Sequence, residues 1–231
     1  MANLFHYPLC PRSRFIRAVM SEYGFEPELI EEKPYERRRD FLIANPSGDL
    51  PVLVEQNDFI VPGANVIAEY LDETRGLALG DHRLLPENPA ERVEVRRLTE
   101  WFNVKFYEEV SGPLVAEKIH KRFMPAELGG GGPPDMAVVR AARANVRYHM
   151  RYIGYLASKR KWLAGDKLSH ADLAAAAHIS CVDFLGDAPW SEDEAAKDWY
   201  TRMKSRPSFR AILADRLPGL TPAPAYSDLD F

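Results

Sequence analysis

The sequence has little cysteine and no long apolar run, and each absence excludes a class of protein. Only two cysteines occur among the 231 residues, Cys10 and Cys181, and their wide separation implies no disulfide framework. No segment approaches the roughly 18 apolar residues that a membrane-spanning helix needs. The first residues also lack the basic-then-apolar layout of a signal peptide. We therefore expect a cytoplasmic protein without membrane insertion.

An excess of charge of one sign is also missing. The net charge of -4 gives no global case for binding nucleic acid or an anionic membrane. His170 and His178 lie about two turns apart on one predicted helix, without an acidic or cysteine partner at ligand spacing, so no metal site is expected. The sequence also contains no glycine-rich phosphate loop, no Ser-His-Asp signature and no repeat.

What remains is the composition of a soluble globular chain, with 46% hydrophobic and 28% charged residues. A chain of this length forms one large domain or two small ones. The first eighty or so residues predict the order strand, helix, strand, helix, strand, strand, helix, which is the thioredoxin-like order. The predicted strands lie at residues 3–7, 28–32 and 52–54 and after the turn at 56–58, and the helices begin near Pro11, Arg37 and Pro62.

Pro51 lies between a turn-rich run and the β-branched residues of the third predicted strand. Because proline cannot donate a ladder hydrogen bond, it belongs at the first position of a strand or at an edge. An X-Pro bond is also the common site of a cis peptide. By itself the pattern favours an ordinary turn into a strand.

Cys10 and Ser13 flank the loop between the first predicted strand and the first predicted helix. A thiol at a helix N-terminus is favoured as the thiolate, because the backbone N–H groups and the helix dipole lower its pKa. The other interpretation is a small buried thiol beside a helix that Ser13 caps. The sequence leaves both interpretations open.

The second part of the chain has a helical pattern. A long helix is predicted from residue 90 to about Ala116, and another from Met136 to about Arg160, with a glycine–proline break between them. Ser169 and Asp172 then form a capping box. We expect each side chain of this box to contribute about 0.5–2 kcal/mol to stability.

These features together resemble the glutathione transferase family. The resemblance covers about residues 1–217 and is carried by the proline before the third strand, the Cys-Pro-x-Ser loop, a W-L-x-G-D run before the capping box, and the Arg-Pro-Ser-Phe run at 206–209. It implies an N-terminal thioredoxin-like α/β domain and an all-α C-terminal helical bundle. Because the family's proline before the third strand is cis, it also implies a cis bond from Leu50 to Pro51. The implied segments are a first domain at 1–78, a linker at 79–89, a helical domain at 90–217 and an extended tail at 218–231.

The same resemblance implies a degenerate glutathione site made of Leu50, Pro51, Gly63 and Ala64. In glutathione-binding members, an acidic residue or glutamine followed by serine opens the third helix and binds the glutamyl end of the peptide. Here Gly63 and Ala64 occupy those two positions, and neither has a polar side chain. Losing two hydrogen bonds to charged groups removes about 3–6 kcal/mol of binding. We therefore expect no cofactor.

Four arginines lie within about 80° of one face of the second long helix. They are Arg140, Arg143, Arg147 and Arg151. Two interpretations stay open: a solvated stripe paired with acids of a neighbouring helix or a second copy, or a docking face for an acidic protein surface.

The chain ends in a proline-rich segment with an aromatic and acidic motif. Its prolines fix φ and predict an extended tail. The motif either binds a partner or folds back over apolar surface of the body. Its residues are Tyr226, Asp228, Leu229, Asp230 and Phe231.

Both chain ends and the degenerate site resemble a branch of the family, from α-proteobacteria, that binds filaments of the division protein FtsZ. This implies a homodimer without catalytic turnover that binds, curves and bundles FtsZ filaments at the division site. It also implies a further division or cell-wall synthesis protein as a partner of the tail. The competing class is a glutathione transferase or glutathione-dependent thiol reductase that uses Cys10, with Ser13 beside it.

Overall fold

The structure, a computed structural model, describes residues 1–228 and begins with a mixed sheet. The strands are β1 (Asn3–His6), β2 (Glu28–Glu31), β3 (Val52–Val54) and β4 (Ile60–Pro62), and the helices among them are α1 (Pro11–Glu22), α2 (Arg39–Ala44) and α3 (Ala64–Arg75). The strand order is β2-β1-β3-β4, with β1 parallel to β2 and antiparallel to β3, and β3 antiparallel to β4. This confirms the predicted thioredoxin-like domain.

Pro51 enters β3 as predicted. The bond from Leu50 to Pro51 is cis, and Val52 and Leu53 behind it are fully buried. The Pro51 carbonyl accepts a hydrogen bond from the Gly63 N–H at 3.0 Å. This bond ties the entry of β3 to the residue that precedes α3.

The predicted linker is structured. Two short 3-10 segments cover Gly76–His82 with a break at Gly80, and Arg83 beyond them donates hydrogen bonds to both oxygens of the buried carboxylate of Asp72 on α3. The connection is therefore attached to the first domain by a buried ion pair. The domain limits at residues 78, 89 and 217 remain predictions.

The first helix of the second domain, α4, is longer than predicted. It covers residues 89–123 in five consecutive segments: Pro89–Glu100, a π-helical stretch Trp101–Ser111, Gly112–Val115, a second π-helical stretch Ala116–His120, and Lys121–Phe123. The prediction that it ends near Ala116 is wrong. A proline within a helix lacks the N–H for one backbone bond, and π-helical turns flank Pro113. At Gly112 a Cβ atom would lie 2.7 Å from the Tyr107 carbonyl oxygen, so this close turn requires glycine.

The remaining helices surround a central one. They are α5 (Met136–Lys159), α6 (His170–Phe184), α7 (Glu194–Lys204), α8 (Pro207–Leu213) and α9 (Pro224–Ser227). Every residue of α6 is buried, and its alanines pack against α4 on one side and against α1 of the first domain on another. The capping box of Ser169 and Asp172 is present at its start. This confirms the predicted helical bundle.

The described part of the tail, residues 218–228, is not extended, which corrects that prediction. Leu217 and Leu220 close a tight turn, with a hydrogen bond from Leu220 N–H to the Leu217 carbonyl at 3.1 Å, and α9 follows. Tyr226 within α9 is 0% exposed. The prolines therefore shape turns and start a short helix, and an aromatic side chain anchors the segment to the body. Leu229, Asp230 and Phe231 lie outside the described residues.

Membrane-spanning helices and metal sites were searched for within residues 1–228. No helix there is long and apolar enough to cross a membrane. The same residues contain no group of three His, Cys, Asp or Glu side chains that could hold a metal ion.

Candidate functional site

The residues of the predicted degenerate glutathione site meet at a cleft between the two domains. A cavity of about 320 Å³ there is lined by Leu50, Gly63 and Ala64 from the first domain and by Asn103 from α4. Pro51 follows Leu50 and lies within the same β3 entry. The structure thus brings the predicted positions together, although they come from separate loops.

Gly63 gives this cleft an uncapped helix terminus. The residue precedes α3 with φ 90° and ψ 138°, and no side chain caps the helix. Because side chains disfavour positive φ, a glutamate or glutamine at position 63 would be strained in this backbone. Ala64 is buried beside it. The backbone at position 63 therefore favours glycine.

A chain of polar side chains connects the cleft to the interior of the helical domain. Asn103 Nδ2 donates to Asn65 Oδ1 at 2.6 Å, and Asn103 Oδ1 accepts from His178 Nε2 at 3.0 Å. The other nitrogen of His178 lies 2.8 Å from Ser111 Oγ. Burial lowers the pKa of His178 well below its usual value, so the neutral ring donates through Nε2 and accepts the Ser111 hydroxyl hydrogen at Nδ1.

Sequence analysis missed this polar chain. It considered His178 only as a metal ligand, and Asn65, Asn103 and Ser111 stood out by neither spacing nor motif. A possible signal was three polar residues, Asn103, Ser111 and His178, on faces that otherwise carry apolar core residues.

Arg12 closes the cleft from the α1 side. Its Nε donates to the Asn103 carbonyl at 3.1 Å, and its guanidinium lies 3.8 Å above the centre of the Tyr107 ring. Arg12 thus joins the start of α1 to the π-helical stretch of α4.

Cys10 had two open interpretations, a stabilised thiolate and a small buried thiol. The thiol is half-buried, and burial raises its pKa, against an opposing effect of hydrogen bonds with Ser13. Ser13 is fully buried, and its Oγ accepts a hydrogen bond from the Tyr7 N–H at 3.4 Å without capping α1 by its side chain. The raised pKa favours the buried thiol over the stabilised thiolate, because desolvation outweighs the hydrogen bonds with Ser13 and Arg12.

The arginine stripe on α5 is largely paired with acids beyond α6. Arg143 makes an ion pair of 2.6 Å with the buried carboxylate of Asp187. Arg147 and Arg151 both pair with Glu192, at 3.1 and 3.0 Å. Within residues 1–228, Arg140 has no ion pair, and its side chain is exposed. The pairing interpretation therefore holds for three of the four arginines, while docking remains a prediction.

Tyr226 is a structural residue, which corrects its prediction as an exposed partner anchor. Its hydroxyl donates to the Ile212 carbonyl at 3.0 Å, and its ring contacts Phe184 edge-on with centroids 5.1 Å apart. Lys204 Nζ donates to the Ala225 carbonyl at 2.6 Å and to the Asp228 carbonyl. Asp228 itself is exposed at the end of the described chain.

Comparison with known families gives two matches along the chain. The glutathione S-transferase N-terminal domain matches residues 4–79, and the glutathione S-transferase C-terminal domain matches residues 113–207. The first match includes the cleft residues Leu50, Gly63 and Ala64, and the second includes the capping box.

Full-length relatives agree with these matches. The FtsZ-localized protein A of Caulobacter vibrioides is 45% identical over 232 residues, covering 99% of this chain and 98% of the relative. A crystal structure of a glutathione S-transferase from Sinorhizobium meliloti 1021 is 53% identical, with a TM-score of 0.98 and full coverage of both chains. The structure of FzlA from C. crescentus is 44% identical, with a TM-score of 0.91 and coverage of 100% and 99%. The chain therefore belongs to the glutathione S-transferase family.

Proposed function

We propose that this chain is a non-enzymatic protein of glutathione transferase fold that binds FtsZ filaments, curves and bundles them, and thereby regulates bacterial cell division. The observation that carries the proposal is the 45% identity, along nearly the whole of both chains, to a protein named for its localization with FtsZ. The expected location is the cytoplasm at the division site.

The cleft supports a function without glutathione. Gly63 and Ala64 offer no side-chain hydrogen bond to a peptide carboxylate or amino group, and Gly63 has a backbone that disfavours the family's residue. The raised pKa of Cys10 argues against a thiolate at neutral pH. The second candidate function is a glutathione transferase or thiol reductase using Cys10. It is favoured by the 53% identity to a structure described as a glutathione S-transferase.

Calorimetry with glutathione separates these two functions. We expect no saturable heat at millimolar glutathione, because two charge-assisted hydrogen bonds worth about 1.5–3 kcal/mol each are missing. Ala64→Ser introduces one hydroxyl at the start of α3. If this variant releases more binding heat with glutathione than wild type, the missing hydroxyl accounts for part of the lost affinity. Micromolar affinity of the wild type would instead support the enzyme, and loss of turnover in Cys10→Ser would then identify the nucleophile.

The arginine stripe is the proposed filament-binding surface. Arg147 and Arg151 are 60% and 67% exposed despite their shared partner Glu192, and Arg140 is exposed on the same face. Four arginines against Asp187 and Glu192 leave an excess of positive charge. Such a surface steers association with an acidic partner and makes it sensitive to salt.

Charge reversal tests this surface. Arg140→Glu with Arg147→Glu is expected to weaken co-sedimentation with FtsZ filaments about tenfold at low salt, through like-charge repulsion. Arg143 is left unchanged, because a glutamate there would face the buried carboxylate of Asp187. Arg210→Glu, a reversal at an exposed site on α8, is the control for Arg140→Glu. If the double variant and wild type co-sediment equally at low and high salt, the four arginines form a solvated face and do not bind the filament.

We also propose a homodimer, formed through two exposed apolar surfaces. On the first domain, Phe59 is 52% exposed, Val66 on α3 is also exposed, and the Phe59 ring contacts Tyr70. On the second domain, Tyr148 and Tyr155 are exposed on α5. Exposed apolar side chains clustered in this way are typical of protein interfaces.

Light scattering tests the dimer. The wild type is expected to have twice the mass of one chain, and Phe59→Asp is expected to shift the protein toward the monomer, because it places a charge in an apolar interface. Leu77→Asp, at an exposed apolar residue beyond α3, is the control. A wild type that stays monomeric at high micromolar concentration contradicts this part of the proposal.

The tail remains a proposed site for a further division or cell-wall synthesis protein. Tyr226 packs against the body and is therefore not a candidate for partner binding. The remaining candidates are Asp228 and the motif residues after it: Leu229, Asp230 and Phe231. The buried anchor at Tyr226 holds the exposed Asp228 at one place on the surface, which supports this proposal.

A further inference from the structure

A second cavity lies between α3 and α4 and has a different lining from the degenerate glutathione site. Its volume is about 300 Å³, within the usual range for small-molecule sites. Ala68, Leu85 and Val95 supply its apolar lining. Its polar lining comes from Asn65, Glu69, Arg96, Thr99, Glu100 and His170.

His170 contributes a buried ring with one nitrogen left open. The side chain is only 2% exposed, and its Nε2 lies 3.1 Å from the Tyr23 hydroxyl. That hydroxyl lies 3.1 Å from Asp72 Oδ1. Asp72 is held by Arg83 and acts as an acceptor only, so Tyr23 gives its one hydrogen to Asp72 and accepts from His170 Nε2.

This assignment makes His170 Nδ1 a hydrogen-bond acceptor. Burial lowers the pKa of His170 to about 4, so the ring is neutral at pH 7 and has its hydrogen on Nε2. Nothing within residues 1–228 donates to Nδ1. His170 Nδ1 is not fully buried, so it is open to the cavity that His170 lines, and a donor can approach it from there.

The charges around the cavity define what that partner is. Glu69 and Arg96 neutralise one another through two hydrogen bonds of 2.8 and 2.7 Å. Glu100 lines the same space, is exposed, and has no ion pair within residues 1–228. A neutral acceptor and an unpaired carboxylate therefore face a ligand that must bring donors and positive charge.

We propose that this cavity binds a small organic cation with N–H donors, such as a primary amine or a guanidine on a short apolar stem. One N–H group donates to His170 Nδ1, the positive charge lies near Glu100, and the stem contacts Ala68, Leu85 and Val95. The proposal goes beyond FtsZ binding and does not depend on it.

Agmatine is a suitable probe, because it has a guanidinium and an ammonium group on a four-carbon stem. In protein with 15N-labelled histidine, agmatine is expected to shift the His170 Nδ1 resonance saturably while the Nε2–H tautomer is kept. Glu100→Gln is expected to weaken this binding about tenfold or more, as for loss of a charge-assisted hydrogen bond. Glu91→Gln, an equal change at an exposed site on the same helix, is expected to have little effect.

Ala68→Val provides a second variant that narrows the cavity without touching His170, and it is expected to weaken binding while the His170 tautomer stays the same. The proposal is overturned if the Nδ1 resonance does not respond to agmatine, or if Glu100→Gln binds as tightly as wild type. It is also overturned if this resonance responds to dilution of the protein instead. In that case a side chain of a second copy occupies the cavity.

Discussion

Replacing Asp172 with alanine is expected to lower the free energy of unfolding by about 3–5 kcal/mol. The carboxylate is fully buried, and it accepts four hydrogen bonds. Oδ1 accepts from the Leu163 N–H at 2.8 Å and the Trp199 indole at 3.0 Å. Oδ2 accepts from the backbone and hydroxyl of Ser169 at 3.2 and 3.0 Å. Alanine leaves these buried donors without an acceptor.

This effect exceeds the 0.5–2 kcal/mol expected from the sequence, because Asp172 also holds Leu163 and Trp199. Ser169→Ala is the matched control and keeps the smaller expectation of about 0.5–2 kcal/mol. Unfolding in urea, followed by circular dichroism, measures both. For a chain of this size, each kcal/mol corresponds to about 2–4 °C in Tm. Equal midpoints for the two variants would contradict the role of Asp172 as a shared acceptor.

Tyr226→Ala is expected to cost about 3–5 kcal/mol, the usual range for removing a buried aromatic ring. The ring lies between Phe184 and the guanidinium of Arg14, which is 5.7 Å from its centre. Its hydroxyl bond to the Ile212 carbonyl links α9 to α8. Removing the ring therefore opens a cavity where α6, α8 and α1 meet.

Two variants isolate the cause of this loss. Tyr226→Phe removes only the hydroxyl and is expected to cost about 1 kcal/mol. Ser227→Ala, at the next and exposed residue, is expected to stay within about 0.5 kcal/mol of wild type. If Tyr226→Ala unfolds at the same urea concentration as Ser227→Ala, the tail does not pack against the body.

Helix positions were predicted best where the pattern involves residues only a few positions apart in the chain. The Ser169–Asp172 spacing predicted the start of α6, whereas the cis bond at Pro51 was predicted from the family resemblance and not from its local pattern. Apolar residues at helical spacing predicted α1 and α5 to within about one residue. Each signal involves residues a few positions apart, so its meaning does not depend on tertiary contacts.

The parts that could not be predicted depend on contacts between distant residues. Asn65 meets Asn103, and Asn103 meets His178, only because α3, α4 and α6 pack together. The proline content of the tail suggested an extended segment, but burial of Tyr226 decides its structure. Desolvation also decides the pKa of Cys10, and a sequence does not show how deeply a loop residue lies.

Co-sedimentation with FtsZ from the same bacterium, in buffer without glutathione, tests the central claim most directly. The protein is expected to enter the pellet saturably with assembled filaments and to stay in the supernatant with unassembled FtsZ. The Arg140→Glu, Arg147→Glu variant is expected to need a higher filament concentration for the same bound fraction. Wild-type protein that stays in the supernatant with assembled filaments at low salt would contradict the proposed function.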